Sequence, residues 1–322
     1  MQIYSYRLND YLKFIFEAKL FLNQFKIKKI ICLNESGETE NILLKIIKPE
    51  VDTILLQHSF LRYNSNLNNL QWRYEDQNMI GLKCKKMFLW GKSDLEFFSD
   101  KLTNKNNQLF ISGSPRHDNF SALNYYEEKY SLKTILITLS PISERSGLGD
   151  TDLMKKYNEF LMRIFTLLKK LENVKIIVKL HPGENPHNSV LQKFLNNISG
   201  ITIFQIKDSK ELIKMSDIII NFSPELYDSS TIMLEGLLFQ KPIIQLALDN
   251  ELQRIKPLNS AIIQLSNLDN FEEIIKKNLY DENYRGETTS HIPEMLNKYL
   301  GYQNEASKRI LKLIESNNNF DT

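Results

Sequence analysis

A series of short, β-branched apolar runs, each emptying into polar residues and each followed by enough chain for a helix, is the strongest constraint on how this sequence folds. The runs are at 28–36 (KKIICLNES), 51–59 (VDTILLQHS), 85–94 (KKMFLWGKSD) and 107–120 (NQLFISGSPRHDNF). They resume at 134–141 (TILITLSP), 174–184 (VKIIVKLHPGE), 201–206 (ITIFQI), 217–221, 242–246 and 259–265. Uninterrupted apolar runs suit strands buried on both faces, and helix-length connections suit parallel pairing. Helices are expected at 37–47, 93–102 with Ser93 as N-cap, 151–171, 187–198, 229–239, 268–279, 293–300 and 303–316. The pattern predicts an α/β chain with parallel sheets and crossover helices.

Residues 119–133 are polar and carry no strand pattern, so the chain divides there. The expectation is an N-terminal domain over 1–128 and a C-terminal domain over 129–302, with the last helix, about 303–322, packing back on the first. A chain of 322 residues suits two domains better than one. Residues 10–25 (DYLKFIFEAKLFLNQF) place Leu12, Ile15, Phe16, Leu20 and Phe21 near a helical stripe. A helix packed on a sheet is the simpler expectation, although the aromatic load (Phe14, Phe16, Phe21, Phe25) also suits a membrane surface. No internal repeat is visible, and the tail SNNNFDT is expected to fray.

Composition excludes several classes. Hydrophobic residues make up 42% and charged residues 25%, as in an ordinary globular chain. A net charge of +2 gives no bulk electrostatic reason to bind nucleic acid. The two cysteines, Cys32 and Cys84, have no metal-site spacing and suggest no disulfide framework, which fits a reducing cytosol. The N-terminus lacks a signal-peptide pattern, and no window approaches a membrane span. Asp150-Thr151-Asp152 spells a D-x-D, but it stands before a helix, where an N-cap explains it better than a metal does.

Ligands of open parallel sheets sit beyond the carboxyl ends of the strands, so the polar residues there are the ones to weigh. In residues 211–245, a buried strand empties into a polar loop and then a helix that begins Ser229-Ser230-Thr231. One capping residue satisfies a helix start; three hydroxyls with a free helix N-terminus suit a phosphate. Glu235, about two turns on, either takes ribose hydroxyls or faces solvent. Lys179 and His181 follow an apolar strand two residues apart, a spacing that shares one face and suits an anionic leaving group. A structural histidine fixed by Pro182 is the plainer alternative. His58 ends a strand of the other half and is either a general base or a loop histidine bonded to backbone. Arg116, after Gly113-Ser114-Pro115, suits phosphate or carboxylate or else holds the loop; Arg145, in the Gly147/Gly149 loop, is similarly placed, and Glu144 suits acid–base work.

The segments QHS (57–59), FLWG (88–91), SGSPRHD (112–118), KLHPGE (179–184) and SDIIINFSPELYDSSTIMLEGLLFQKPII (216–244), taken together and in this order, resemble GT-B-type glycosyltransferases of surface-polysaccharide assembly. The nearest groups are the capsule polysaccharide and polysialic-acid transferases and the teichoic-acid CDP-glycerol glycerophosphotransferases; UDP-N-acetylglucosamine 2-epimerases share the fold. The resemblance implies two Rossmann-like domains with parallel sheets facing across a cleft, the donor nucleotide on the C-terminal domain and the acceptor on the N-terminal one. His181-Pro182 matches the family's His-Pro motif and Ser229-Ser230 its Ser-Ser motif, both implied to contact the donor's nucleotide and phosphates. His58 matches the histidine of the family's QHG loop, with Ser59 in place of the glycine. The N-terminal half is short for the family, so its sheet is expected to lack strands.

The function expected is transfer of a sugar or sugar-like group from a nucleotide-sugar donor to a glycan or lipid-linked acceptor of surface polysaccharide, with no metal or other cofactor. His58, His181 and Glu144 are the candidate catalytic residues. Lys179, His181, Pro182, Ser229, Ser230, Thr231, Glu235, Arg116 and Arg145 are the candidate donor-binding residues. The expected location is the cytoplasm or the inner face of the membrane, with peripheral membrane association and no nucleic-acid partner. A 2-epimerase of a UDP-amino sugar is the rival enzyme, with Glu144, Glu184 and Glu225 as its only acid–base candidates. A non-catalytic binding module on the same scaffold is the third reading.

Overall fold

A computed structural model describes the chain except residues 1, 36, 59–82, 102–107, 121–131, 140–150, 183–189, 224–229, 248–260, 266 and 317–322. The chain divides into two compact units. The first comprises Met1–Ser59, Asn66–Asp118 and Asn297–Thr322; the second comprises Phe60–Ser65 and Asn119–Leu296.

The first unit opens with α1 (Gln2–Gln24), followed by β1 (Lys29–Cys32), α2 (Glu38–Ile46), β2 (Asp52–Leu56), β3 (Lys86–Leu89), α3 (Lys92–Lys101) and β4 (Gln108–Ile111). Its four strands form one parallel sheet in the order β1-β2-β3-β4. The helix after β3 begins at Lys92 rather than after Ser93. Ser93 is buried in its first turn, and the Asp94 carboxylate accepts from the Gly91 N–H at 3.3 Å, the backward half of a capping box. The expected burial of the first helix on a sheet is met only in part. No described side chain of α1 is buried, and Tyr11, Phe14, Ile15, Ala18 and Leu22 reach only half-burial.

Cys32 and Cys84 look unrelated in the sequence but meet in this unit as buried thiols in hydrogen-bond contact. That contact lowers the pKa of Cys32 and raises that of Cys84, with burial adding to the rise. Glu35, itself fully buried, accepts from the backbone N–H groups of Cys84 (2.7 Å) and Lys83 (3.2 Å) and so ties the end of β1 to the approach to β3.

The second unit holds β5 (Lys133–Leu139), α4 (Thr151–Leu168), β6 (Val174–Leu180), α5 (Val190–Asn196), β7 (Ile201–Phe204), α6 (Ser209–Met215), β8 (Ile218–Ser223), α7 (Thr231–Leu238), β9 (Ile243–Ala247) and β10 (Ile263–Leu265). Next come α8 (Phe271–Tyr280), α9 (Glu282–Thr289), which periodicity does not reveal, and α10 (Ile292–Tyr299), which runs from this unit into the first. The six strands are all parallel and ordered β10-β9-β8-β5-β6-β7. Counted from β5, that is 6-5-4-1-2-3, the Rossmann order, whose direction reverses between β5 and β8. One face of this sheet (Ile135, Ile137, Val178, Ile220, Phe222 and their register mates) builds the main core with Tyr157, Leu161 and Phe165 of α4 and Ile275 of α8. Tyr157 stacks on Phe222 at 4.6 Å between ring centroids.

The closing helix, α11 (Ala306–Glu315), belongs to the first unit. Its Ile310 and Leu313 pack with Ile54 of β2 and Phe88 of β3. Asp118 caps it from far away in sequence, accepting from the N–H groups of Ala306 (2.8 Å) and Ser307 (2.7 Å). Among the described residues, no helix is long and apolar enough to cross a membrane.

Candidate functional site

The reversal point between β5 and β8 is where a sheet of this order leaves a crevice at its carboxyl end. A row of polar side chains lies there, one or two residues short of the strand ends. Strand register sets Lys179 (β6), Thr138 (β5), Asn221 (β8) and Gln245 (β9) level with one another. All four alternate with the residues of the main core and therefore occupy the opposite face of the sheet. Thr138 Oγ1 donates to Asn221 Oδ1 at 2.8 Å, across the reversal point itself. Asn221 is fully buried, and its amide nitrogen finds no acceptor among the described residues; the amide oxygen of Gln245 likewise finds no donor.

Helix α7 delivers Glu235 to the same region. Gly236 lets the helix lie close on the strands, since a Cβ there would stand 2.5 Å from Ile219 Cδ1 and 3.0 Å from Ile243 Cδ1. Glu235 does not face solvent, as one sequence reading allowed. It is 2% exposed, and Ser209 Oγ, at the start of α6, donates to its Oε2 at 2.8 Å. Its charge reaches Lys179. Burial pushes the Lys179 ammonium below the ordinary lysine range, and Glu235 opposes that shift.

Lys179 Nζ donates to the carbonyls of Leu180 (2.8 Å) and Gln205 (2.6 Å), so it ties the ends of β6 and β7 together. A lysine with a depressed folded pKa binds fewer protons folded than unfolded across the interval from that pKa up to about 10.4. Stability therefore rises with pH through that alkaline interval. Chemical denaturation of the wild type should show this rise, and a Lys179→Met variant should lack it; equal slopes for the two would refute the assignment.

The start of α7 carries polar groups that its own cap does not use. Ser230 takes the N-cap position of α7 with φ −67° and ψ 134°, yet its hydroxyl makes no capping bond. Met233 N–H already donates to the Ser230 carbonyl at 3.0 Å, which leaves the N–H groups of Thr231 and Ile232 at the head of the helix. Acceptor groups of a ligand suit those positions and the positive end of the dipole.

The other predicted residues separate into groups. Leu180 ends β6, so His181 lies beyond the strand; it and Pro182 are exposed while Lys179 is buried, and the two side chains do not share a strand face. His58 is exposed at the carboxyl end of β2, in the first unit. Its neighbour Gln57 is buried and structural, its Oε1 accepting from Trp90 N–H (2.7 Å) and its carbonyl from Trp90 Nε1 (2.8 Å). Arg116 is exposed in a 3-10 turn, Pro115–His117, where Ser114 Oγ lies 2.7 Å from His117 Nδ1. Much of the SGSPRHD segment thus serves to seat the last helix. Glu144, Arg145, Glu184, Glu225 and Ser229 lie outside the described residues, as does Asp150 of the D-x-D. Among the described residues, no cluster of His, Cys, Asp and Glu is fit to hold a metal ion.

Sequence reading missed Thr138, Asn221, Gln245 and Ser209. The first three carry a legible signal, each being the one polar side chain inside an apolar strand (ILITL, IIINF, IIQLA). Their common level becomes visible only with the register.

No family model matches the chain, and no curated protein matches it in sequence. Solved structures do match in fold. The S. aureus MnaA–UDP co-structure aligns over 95% of this chain and 78% of its own, with 17% identity and a TM-score of 0.63. UDP-GlcNAc 2-epimerase from Neisseria meningitidis bound to UDP-GlcNAc aligns over 95% and 81%, with 18% identity and a TM-score of 0.60. A variant of the wall teichoic acid polymerase TagF aligns over 89% and 72%, with 14% identity and a TM-score of 0.56. At such identities the likeness establishes the architecture: this chain has the α/β fold with two parallel sheets that these GT-B-type enzymes share.

Proposed function

We propose that this protein binds a nucleotide-activated sugar, or sugar-like group, in its second unit and transfers that group to a surface-polysaccharide acceptor without a metal. The observation that carries the donor site is Ser230, which holds the N-cap position of α7 without spending its hydroxyl there. It caps the short helix that carries the buried carboxylate of Glu235 five residues further on. Ser229, Ser230 and Thr231 would take a donor phosphate on hydroxyls and backbone N–H groups. Glu235, already oriented by Ser209, would accept from ribose hydroxyls. The unmatched amide groups of Asn221 and Gln245 add weight, because a buried amide without a partner costs about 1–3 kcal/mol and a ligand that supplies the partner removes that cost.

In this scheme the charge developing on the leaving phosphate is met by the α7 N-terminus and by the field of Lys179, with His181 at the rim. Lys179 contributes through its charge, since two of its N–H groups are held by carbonyls. His58 is assigned as the base for the acceptor hydroxyl, Glu144 as a further acid–base group, and Arg116 and Arg145 as anion contacts. The reduced thiols of Cys32 and Cys84 fit a cytoplasmic reaction.

Calorimetric titration with CMP, CDP, UDP and GDP tests the donor site. One nucleotide is expected to bind, and Ser230→Ala is expected to weaken it about tenfold, as for one lost hydrogen bond to a charged group. If none binds at millimolar concentration, the donor site is wrong. A UDP-N-acetylglucosamine 2-epimerase activity is the second reading, favoured by fold neighbours solved with UDP and with UDP-GlcNAc. Incubation with UDP-N-acetylglucosamine followed by NMR distinguishes the two: appearance of the 2-epimer would replace the transferase reading while retaining the nucleotide site.

A further inference from the structure

Helix α1 carries two apolar faces, only one of which the protein covers. Tyr11, Phe14, Ile15, Ala18 and Leu22 are half-buried and mark the inner face. The contact is with α2, where Arg7 stands 4.0 Å from Glu38 and Tyr11 bonds the same carboxylate. Beside it runs a second stripe at four-residue spacing: Leu8 (57% exposed), Leu12 (55%), Phe16 (65%) and Leu20 (47%). At 1.5 Å per residue the stripe is about 18 Å long. A soluble helix gains nothing by showing water a continuous line of large apolar groups.

Charge decides what covers it. From residue 18 to residue 34 the charged side chains are Lys19, Lys26, Lys28 and Lys29, with no acidic residue among them. Lys29 is engaged with the Ile314 carbonyl, whereas Lys19, Lys26 and Lys28 are exposed. Asp10 and Glu17, the acidic residues of α1, lie roughly 140° and 120° around the helix from the middle of the stripe at about 100° per residue. An apolar line with Lys19 beside it and Lys26 and Lys28 just past the end of its helix, with the acids turned away, matches an interfacial helix lying on a negatively charged bilayer. A second copy of the chain fits less well, because a two-fold contact through this stripe would set the same lysines against one another.

We infer that the outer stripe of α1 docks on an anionic phospholipid surface, with Leu8, Leu12, Phe16 and Leu20 entering the interface and Lys19, Lys26 and Lys28 pairing with lipid phosphates. The docking requires nothing of the proposed reaction and is tested without it. The full chain is sedimented with vesicles of phosphatidylcholine alone and of phosphatidylcholine with phosphatidylglycerol. Binding is expected to the second kind only, falling about fivefold for each lysine changed to glutamine and falling to the level of neutral vesicles in Leu12→Glu/Phe16→Glu. Circular dichroism of the double variant, whose altered positions are exposed, should match the wild type. Failure to bind anionic vesicles overturns the proposal. So does a wild-type dimer in sedimentation equilibrium that the double variant converts to monomer, since the stripe would then be an interface between copies.

Discussion

Gly113→Ala should cost about 3 kcal/mol of stability or more, from two effects that cannot relax together. Gly113 has φ +80°, a conformation that disfavours any Cβ, and a Cβ there would stand 2.3 Å from the backbone oxygen of Gly301 and 2.9 Å from Ala306 Cβ. The obstacles belong to the segment that leads into α11 and to its first residue. The substitution therefore lifts that segment away from β4, where Arg309 Nε donates to the Ile111 carbonyl at 2.8 Å and Asp118 caps the helix. Urea denaturation followed by circular dichroism measures the loss, and limited proteolysis should release the C-terminal peptide early. A midpoint within about 0.5 kcal/mol of the wild type would show that the backbone here is not constrained as described.

Glu235→Ala should remove nucleotide binding and also weaken the second unit, by about 2 kcal/mol. The variant strips the Ser209 hydroxyl of its acceptor and the Lys179 ammonium of its opposing charge, both next to the sheet. Glu235→Gln separates the two roles. Its amide oxygen still accepts from Ser209, so most of the stability should return, while binding stays weaker by about tenfold because the charged acceptor is gone. If the carboxylate reads ribose, wild type should prefer a ribonucleotide over its 2′-deoxy counterpart, and Glu235→Gln should lose most of that preference. A Glu235→Ala variant that binds as tightly as wild type would remove this residue from the site.

How much of this was legible in the chain depends on whether the physics is local. The strands were readable because TILITL, VKIIVKL and DIIIN are built on runs of Ile, Leu and Val, as strands covered on both faces are. The hydroxyl-rich helix start was readable because capping chemistry is written in adjacent residues, although the helix begins at Thr231 and not two residues earlier. The level row of Thr138, Asn221 and Gln245 was not readable, since spatial order depends on which strands pair, and β5 pairs with β8 across 83 residues of sequence. The same holds for Ser209 and Glu235, and for Asp118, whose capping of a helix 188 residues away no periodicity announces. Helix α9 escaped because its exposed sequence ENYRGETT buries no residue and so carries no apolar stripe.

The position of α11 also bears on the order in which the molecule can be made. The sheet of the first unit is synthesised early, but Ile54 and Phe88 wait for Ile310 and Leu313 to cover them. The Ile111 carbonyl waits for Arg309, 198 residues further on. On the ribosome, every strand of the second unit has emerged before the first unit can close. The usual sequence, in which the leading domain folds first, is therefore reversed for completion: the trailing unit can finish while the leading one still holds an open apolar face. That face is the surface a nascent chain of this kind most needs shielded, and the last helix is what ends the need.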